Sequence, residues 1–299
     1  MKKVTILTFT DPMMGLSYES EPVFRKLETH FGENIDFKYL MCVLVKDVYD
    51  LVNPADLSIS KELAIKNYNA KLAKIYEDEE YISDMPINMT DFHLFSIEHT
   101  SSLPLNLAYK AAQLVDASKA DLFLYNLRHA TIVECRPTTQ TEEILRVVEY
   151  TNINKDEFLK HFNSETGRTA LNMDLQFAQR LSIRTLPSYL VEYDGEAILY
   201  QGLINYQGFV SMIDTISNGA LKPKNVIQSI IALRNLIKQH PLISPIEIRE
   251  AFDLKNLSEV EKFIAPLVES KEILIENVHH GYFIKSNGNR RKTYEEQNL

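Results

Sequence analysis

Cys42 and Cys135 are the only two thiols in the chain, and they stand far apart in sequence. A secreted disulfide scaffold carries more cysteines, in pairs, so no structural disulfide is expected. Cys42 lies in an apolar run between Met41 and Val43 and reads as an inert core residue within a strand. Cys135 closes a helical stretch beside Arg136, and a neighbouring cation lowers a thiol's pKa. It therefore has a reactive reading beside its structural one. Asp91, His93, Glu98 and His99 bring four metal-ligand types into one short segment, and His279-His280 adds a pair. No second cluster completes either set. A solvated loop and a tight turn are expected there, with no metal and no cofactor.

The elements that must position these groups follow from hydrophobic spacing. Residues 4–10 are β-branched and apolar and read as a buried strand, which Asp11-Pro12 ends. The charged start and short apolar run lack the length and cleavage site of a signal peptide. Helical spacing over 16–31 and a second strand over 36–45 complete a strand–helix–strand unit suited to parallel pairing. Helices are expected at 61–76, 105–117, 122–133, 141–150, 155–162 and 170–181, with a loop over 84–104. Strands return at 188–193 and 197–201, joined by the hairpin signal Asp194-Gly195, and a helix follows at 207–216. Beyond a linker at 221–224, helices at 226–239, 245–252 and 258–270 precede a hairpin of 272–278 and 282–285. Pro266 should kink the last helix or end it early. Three helices and a terminal hairpin form a winged-helix pattern. The reading is thus an α/β domain over 1–219 with a helical insert at about 58–180, a winged-helix-like domain over 225–285, and a polar, disordered tail over 286–299.

The order of strands and helices is that of a thioredoxin-like fold with a helical insertion, and two local motifs sharpen the likeness. Residues 10–22 read Thr-Asp-Pro-Met-Met-Gly-Leu-Ser-Tyr-Glu-Ser-Glu-Pro. This segment resembles the active-site entry of DsbA-like proteins, where an Asp-Pro turn leads to Cys-x-x-Cys at the start of the first helix. The resemblance places Met14 and Ser17 at the two cysteine positions, with Asp11, Pro12 and Met13 beside them. Residues 182–188, Ser-Ile-Arg-Thr-Leu-Pro-Ser, resemble the loop whose cis-proline faces the dithiol. Thr185, Leu186 and Pro187 would then border a groove for a partner chain. X-Pro bonds in folded proteins are trans in about 95% of cases, so the cis form is implied by the resemblance alone. A methionine sulfur has no ionisable proton. A serine without a general base stays protonated near neutrality, and no Ser–His pairing is evident. The chain is also similar to the ClpXP adaptor family that delivers the regulator Spx for degradation. It lacks that family's Cys-x-x-Cys and any Cys-His cluster near the N-terminus.

These readings converge on a cytoplasmic, non-redox thioredoxin-like binding protein that holds a protein partner. An exposed Met13-Met14 pair would give it a soft apolar contact surface. The alternative is a DsbA-class oxidoreductase or isomerase working through Cys42 or Cys135. A DNA-binding regulator is disfavoured by the formal net charge of -9 and by Glu259, Glu261 and Glu269 against Lys262 alone in the recognition-helix position. Arg290-Arg291-Lys292 is the one basic run that favours it. No stretch is long and apolar enough to span a bilayer.

Overall fold

The structure, a computed structural model, describes residues 2–287. The basic run at 290–292 and the tail beyond 287 lie outside the described residues. Strand β1 (Val4–Thr10) is central to the first sheet. It leads through helices α1 (Gly15–Tyr18) and α2 (Glu21–Phe31) to β2 (Ile35–Met41), which pairs with it in parallel from Val4↔Ile35 to Thr10↔Met41. One helix was expected across 16–31, but Pro22 has no N–H for the carbonyl of Tyr18 and divides it in two.

The insert carries no strand among the described residues; its helices are α3 (Pro54–Ile59), α4 (Lys61–Glu79), α5 (Leu103–Val115), α6 (Ala120–Ile132), α7 (Thr141–Tyr150), α8 (Lys155–Phe162) and α9 (Glu165–Arg180), with the expected loop between α4 and α5. Side-chain caps start several of them, with Ser60, Asn154 and Ser164 each accepting a backbone N–H of the first turn. The chain then returns to the sheet as β3 (Ser188–Tyr193) and β4 (Glu196–Gln201). Asp194 and Gly195 join these strands with φ of 53° and 91°, the positive pair that a type I′ turn demands. The sheet order is β2-β1-β3-β4, and α10 (Tyr206–Ile216) closes the domain.

The C-terminal region holds α11 (Ile230–Gln239), β5 (Leu242–Ile243), α12 (Pro245–Ala251), α13 (Leu257–Glu269), β6 (Ile273–Val278) and β7 (Gly281–Ser286). The expected hairpin is present, and the two-residue strand β5 adds a third member, giving the order β5-β7-β6. Helix α13 runs past Pro266 to Glu269 instead of stopping at it.

This region has its own apolar core around Leu233, Ile248, Val260 and Ile264. Leu242, Ile246 and Phe283, however, belong to the main core of the first domain. The seam runs along α2 and α12. Thr29 Oγ1 donates to the Ala251 carbonyl at 2.8 Å, Lys26 meets Asp253 at 2.7 Å, and the Lys224 amide donates to the His30 carbonyl at 2.8 Å. The expected linker is therefore tied down at its last residue.

Candidate functional site

The C-terminal end of β1 delivers the Asp11-Pro12 turn, and the antiparallel register Phe9↔Ser188 brings the Pro187 loop to the same end of the sheet. The Leu186–Pro187 peptide is cis. Asp11 is fully buried and anchors the corner. Its carboxylate accepts from the amides of Met13 (3.0 Å) and Leu44 (2.8 Å), from Ser102 Oγ (2.7 Å) and from Asn106 Nδ2 (2.8 Å). Burial pushes the Asp11 carboxyl up, against the pull of these four donors. Met14 caps α1 and is half-buried, whereas Met13 is 1% exposed and sits in the main core. The expected Met13-Met14 surface pair is thus reduced to Met14. Tyr76 from α4 donates to the Met13 carbonyl and fixes that inward turn. Pro12 and Pro187 are buried, Leu186 is half-buried and Thr185 is exposed.

Ser17 is 1% exposed, and its hydroxyl lies 2.7 Å from Thr10 Oγ1. From there a buried polar chain crosses the molecule. Arg128, with no exposed surface, donates to Thr10 Oγ1 at 2.9 Å and to Glu21 Oε1 at 2.8 Å. Arg25 bridges Glu21 Oε2 at 2.7 Å and Glu247 Oε1 at 3.1 Å. Glu247, on α12, also accepts from Tyr125 Oη at 2.5 Å and from the Ser244 amide at 2.8 Å. The Ser17 hydroxyl is therefore the end of a network that reaches the C-terminal region. The sequence marks Glu21 only as part of the 10–22 segment and does not single out Arg128, Arg25 or Glu247. Two signals were present: an arginine within the helical stretch 122–133, and the Ser-x-x-Glu capping box at Ser244–Glu247.

The family model described as Thioredoxin matches residues 7–211, more than half of the chain. The chain belongs to this thioredoxin family. The ClpXP adapter protein SpxH of Bacillus subtilis (strain 168) is 24% identical over 291 residues, covering 95% of this chain and 90% of that protein. A putative protein disulfide isomerase from Nitrosomonas europaea superposes with a TM-score of 0.59 at 14% identity, covering 73% of this chain and 99% of that one. A probable DsbA oxidoreductase from Streptomyces coelicolor gives 0.55 at 12% identity, with 75% and 94% covered. The adaptor's match leaves too little of the chain uncovered to omit the C-terminal region, whereas the thioredoxin model ends before it.

Redox chemistry in the thioredoxin family needs a thiolate, and both thiols here are held away from that form. Cys42 lies just past the end of β2, in a small apolar cluster with Phe9 and Leu190, and burial beside Asp174 and Asp11 pushes it up to about 12. Cys135 lies three residues past α6, at φ 53°, and is not its terminal residue. Its Sγ donates to the Asn88 carbonyl at 2.6 Å, and burial beside Asp91 pushes it up to about 11. Arg136, the cation expected to lower it, is occupied by Glu143 at 2.5 Å and Glu134 at 3.0 Å. Among the described residues no group of three or more His, Cys, Asp or Glu side chains is arranged to hold a metal ion. His279 and His280 stack at 3.9 Å, and His280 Nδ1 lies 3.5 Å from Glu80 across the seam.

Two carboxyls flank α1: Glu79 of α4 lies against Gly15 at its start, and Glu19 caps its end. Burial pushes Glu79 up to about 7, and burial together with Glu79 pushes Glu19 up to about 9 although Ser83 donates to it. Both carboxyls therefore hold their protons more tightly than a free glutamate does.

Proposed function

We propose that this protein is a non-catalytic adaptor that binds a partner protein in the groove beside Met14, Thr185, Leu186 and Pro187 and presents it for proteolysis by ClpXP in the cytoplasm. The observation that carries this reading is the site itself. The Asp-Pro turn and the cis-proline loop stand at one end of the sheet, yet the helix start between them bears Met14 and a network-bound Ser17. In this reading these residues occupy the positions of the dithiol, and the groove keeps its shape without its chemistry. The ClpXP adaptor relatives share the C-terminal region as well, which favours the adaptor reading over the oxidoreductase one. Among the described residues no helix is long and apolar enough to cross a membrane, which agrees with a cytoplasmic site of action. A Spx-type regulator is the partner that the likeness suggests.

The test is a reconstituted ClpXP degradation of purified Spx, with and without this protein. Degradation should accelerate at least about tenfold, the equivalent of ~1.4 kcal/mol of added affinity, and Met14→Glu or Thr185→Arg should remove the gain. No acceleration by the intact chain would retire the proposal. So would insulin reduction above background that disappears in Cys42→Ser or Cys135→Ser.

A further inference from the structure

The helix that carries Met14 is bordered at both ends by acids without a counter-charge. Glu79, the last residue of α4, lies so close to Gly15 that no Cβ would fit there. Its Oε2 is buried and has no hydrogen-bond partner among the described residues. At the other end of α1, Glu19 is 1% exposed. Ser83 donates to its Oε2, while its Oε1 is likewise buried and unpartnered among the described residues. Each group turns a bare carboxyl oxygen to the protein interior. A buried oxygen of this kind is tolerated far better on a neutral carboxyl than on a carboxylate.

Among the described residues the neighbouring elements supply no cation to either carboxyl. Tyr76 of α4 and Tyr18 of α1 donate to the carbonyls of Met13 and Pro86. Lys74, earlier on α4, reaches Asp78 at 2.9 Å. Glu80 accepts from the Ile87 amide at 3.3 Å and faces His280 of the β6–β7 turn at 3.5 Å. On α6, Arg128 meets Glu21 at 2.8 Å, and His129 faces Glu134 at 3.4 Å. Asp11, close enough to act on Tyr76, is a further acid. Burial accordingly holds Glu79 up at about 7, whereas Glu19, with Glu79 and Glu80 beside it, keeps its proton to about 9. Glu79 is thus the one of the two that changes charge near neutrality.

We propose that Glu79 is a proton-operated latch on the candidate groove: protonated, it packs α4 against Gly15 and holds Met14 in place; ionised, it releases the start of α1 from α4. A neutral carboxyl can rest against the Gly15 backbone. A carboxylate there has neither donor nor cation on its buried oxygen and gains water only by leaving. Its departure removes the contact between α4 and Gly15, and the Tyr76 bond to the Met13 carbonyl is the next to be released. The far end of α1 stays fixed, because Glu19 remains neutral beside Ser83. The folded value of Glu79, about 7, lies above its ordinary 4.5, so the proton stabilises the closed form. That stabilisation is full below pH ~4.5 and is lost as pH rises through 7. The latch stands on α1 and α4 alone; that it governs a partner rests on the adaptor reading.

The test is amide hydrogen exchange in the full-length protein, read by NMR and corrected for the intrinsic pH dependence of exchange. The reporters are the amides of Met14, which donates to the Asp11 carbonyl at 3.0 Å, and Ser17, which donates to the Met14 carbonyl at 3.2 Å. Their protection should fall about thirtyfold between pH 5.5 and 8.5, levelling off above 7. Glu79→Gln cannot ionise, and its protection should stay level over that range. Its urea midpoint at pH 5.5 should match that of the natural chain, which shows that the variant is folded. Glu19→Gln should leave the natural exchange profile in place. Level protection in the natural chain, a fall that survives Glu79→Gln, or a fall abolished by Glu19→Gln would each overturn the proposal. Spx should bind the natural chain more weakly at pH 8 than at pH 6, and Glu79→Gln equally at both. No Spx binding at either pH, beside the expected exchange profile, would retire the adaptor reading and leave the latch standing.

Discussion

At position 17 a hydroxyl is held where a nucleophile would need freedom. Ser17 is locked to Thr10, and Thr10 is locked to Arg128, so a proton on Ser17 has no base to receive it. The spacing of Met14 and Ser17 is nonetheless that of a helical dithiol. Residues i and i+3 on a helix bring their Cβ atoms within about 5–6 Å, close enough for a disulfide after small adjustment. The double variant Met14→Cys/Ser17→Cys should oxidise to an internal disulfide, detected as resistance to alkylation by mass spectrometry. Failure to close under mild oxidant would show that these positions are not a vestigial pair. Glu19 tests burial in the other direction. Its folded value, about 9, lies above its ordinary 4.5, so the folded state keeps a proton that the unfolded chain releases. The associated stability is full below pH ~4.5 and is lost as pH rises through 9. Glu19→Gln cannot ionise. Its urea midpoint should match that of the natural chain near pH 4 and exceed it by a growing margin toward pH 9. Parallel curves over that range would mean that Glu19 is charged in place.

Among the elements, those whose signal is local were legible from sequence. Helices 141–150 and 155–162 and strand 188–193 fall on their expected bounds because amphipathic spacing, caps and turn residues all lie within each segment. Strand β5 was missed because two residues carry no periodicity and exist as a strand only through β7, far along the chain. Helix α3 is a single capped turn and a half with no buried residue, so no apolar stripe announces it. The Asp-Pro turn and the proline loop of the candidate site were legible as motifs. The inward turn of Met13 was not, since it depends on Tyr76 from the insert. The same crowding gives a prediction. Gly15 opens α1 directly beneath α4, and a Cβ there would overlap the Glu79 carboxyl and the Tyr76 ring. Glycine to alanine in a helix ordinarily stabilises by about 0.5–1 kcal/mol. Here overpacking should reverse the sign, so that Gly15→Ala costs about 1–3 kcal/mol in urea denaturation. A stabilised variant would mean that α1 and α4 are not in contact.

For the molecule as a whole, the sequence suggests two domains joined by a linker, and the structure joins them through a shared interior. Leu242, Ile246 and Phe283 enter the main core, and Glu247, fully buried, receives Arg25 from α2. A charge buried at such a seam is tolerated only while its partner stays in place, and losing one member of a buried pair costs about 3–5 kcal/mol. Separation would also expose apolar surface on both sides. The two regions should therefore unfold together. The chain contains no tryptophan, so single replacements report on each region separately. Phe177→Trp sits on α9 near Phe9 of the sheet, and Phe263→Trp sits on α13 against Phe252. Both reporters should give the same thermal midpoint. Adding Glu247→Ala should split them, with the Phe263 position melting first, because the buried Arg25 then loses its carboxylate partner on α12 and keeps only His240 across the seam. Reporters that melt many degrees apart in the otherwise natural chain would show that the seam contributes little to cohesion, and that the path from Ser17 to Glu247 is packing without coupling.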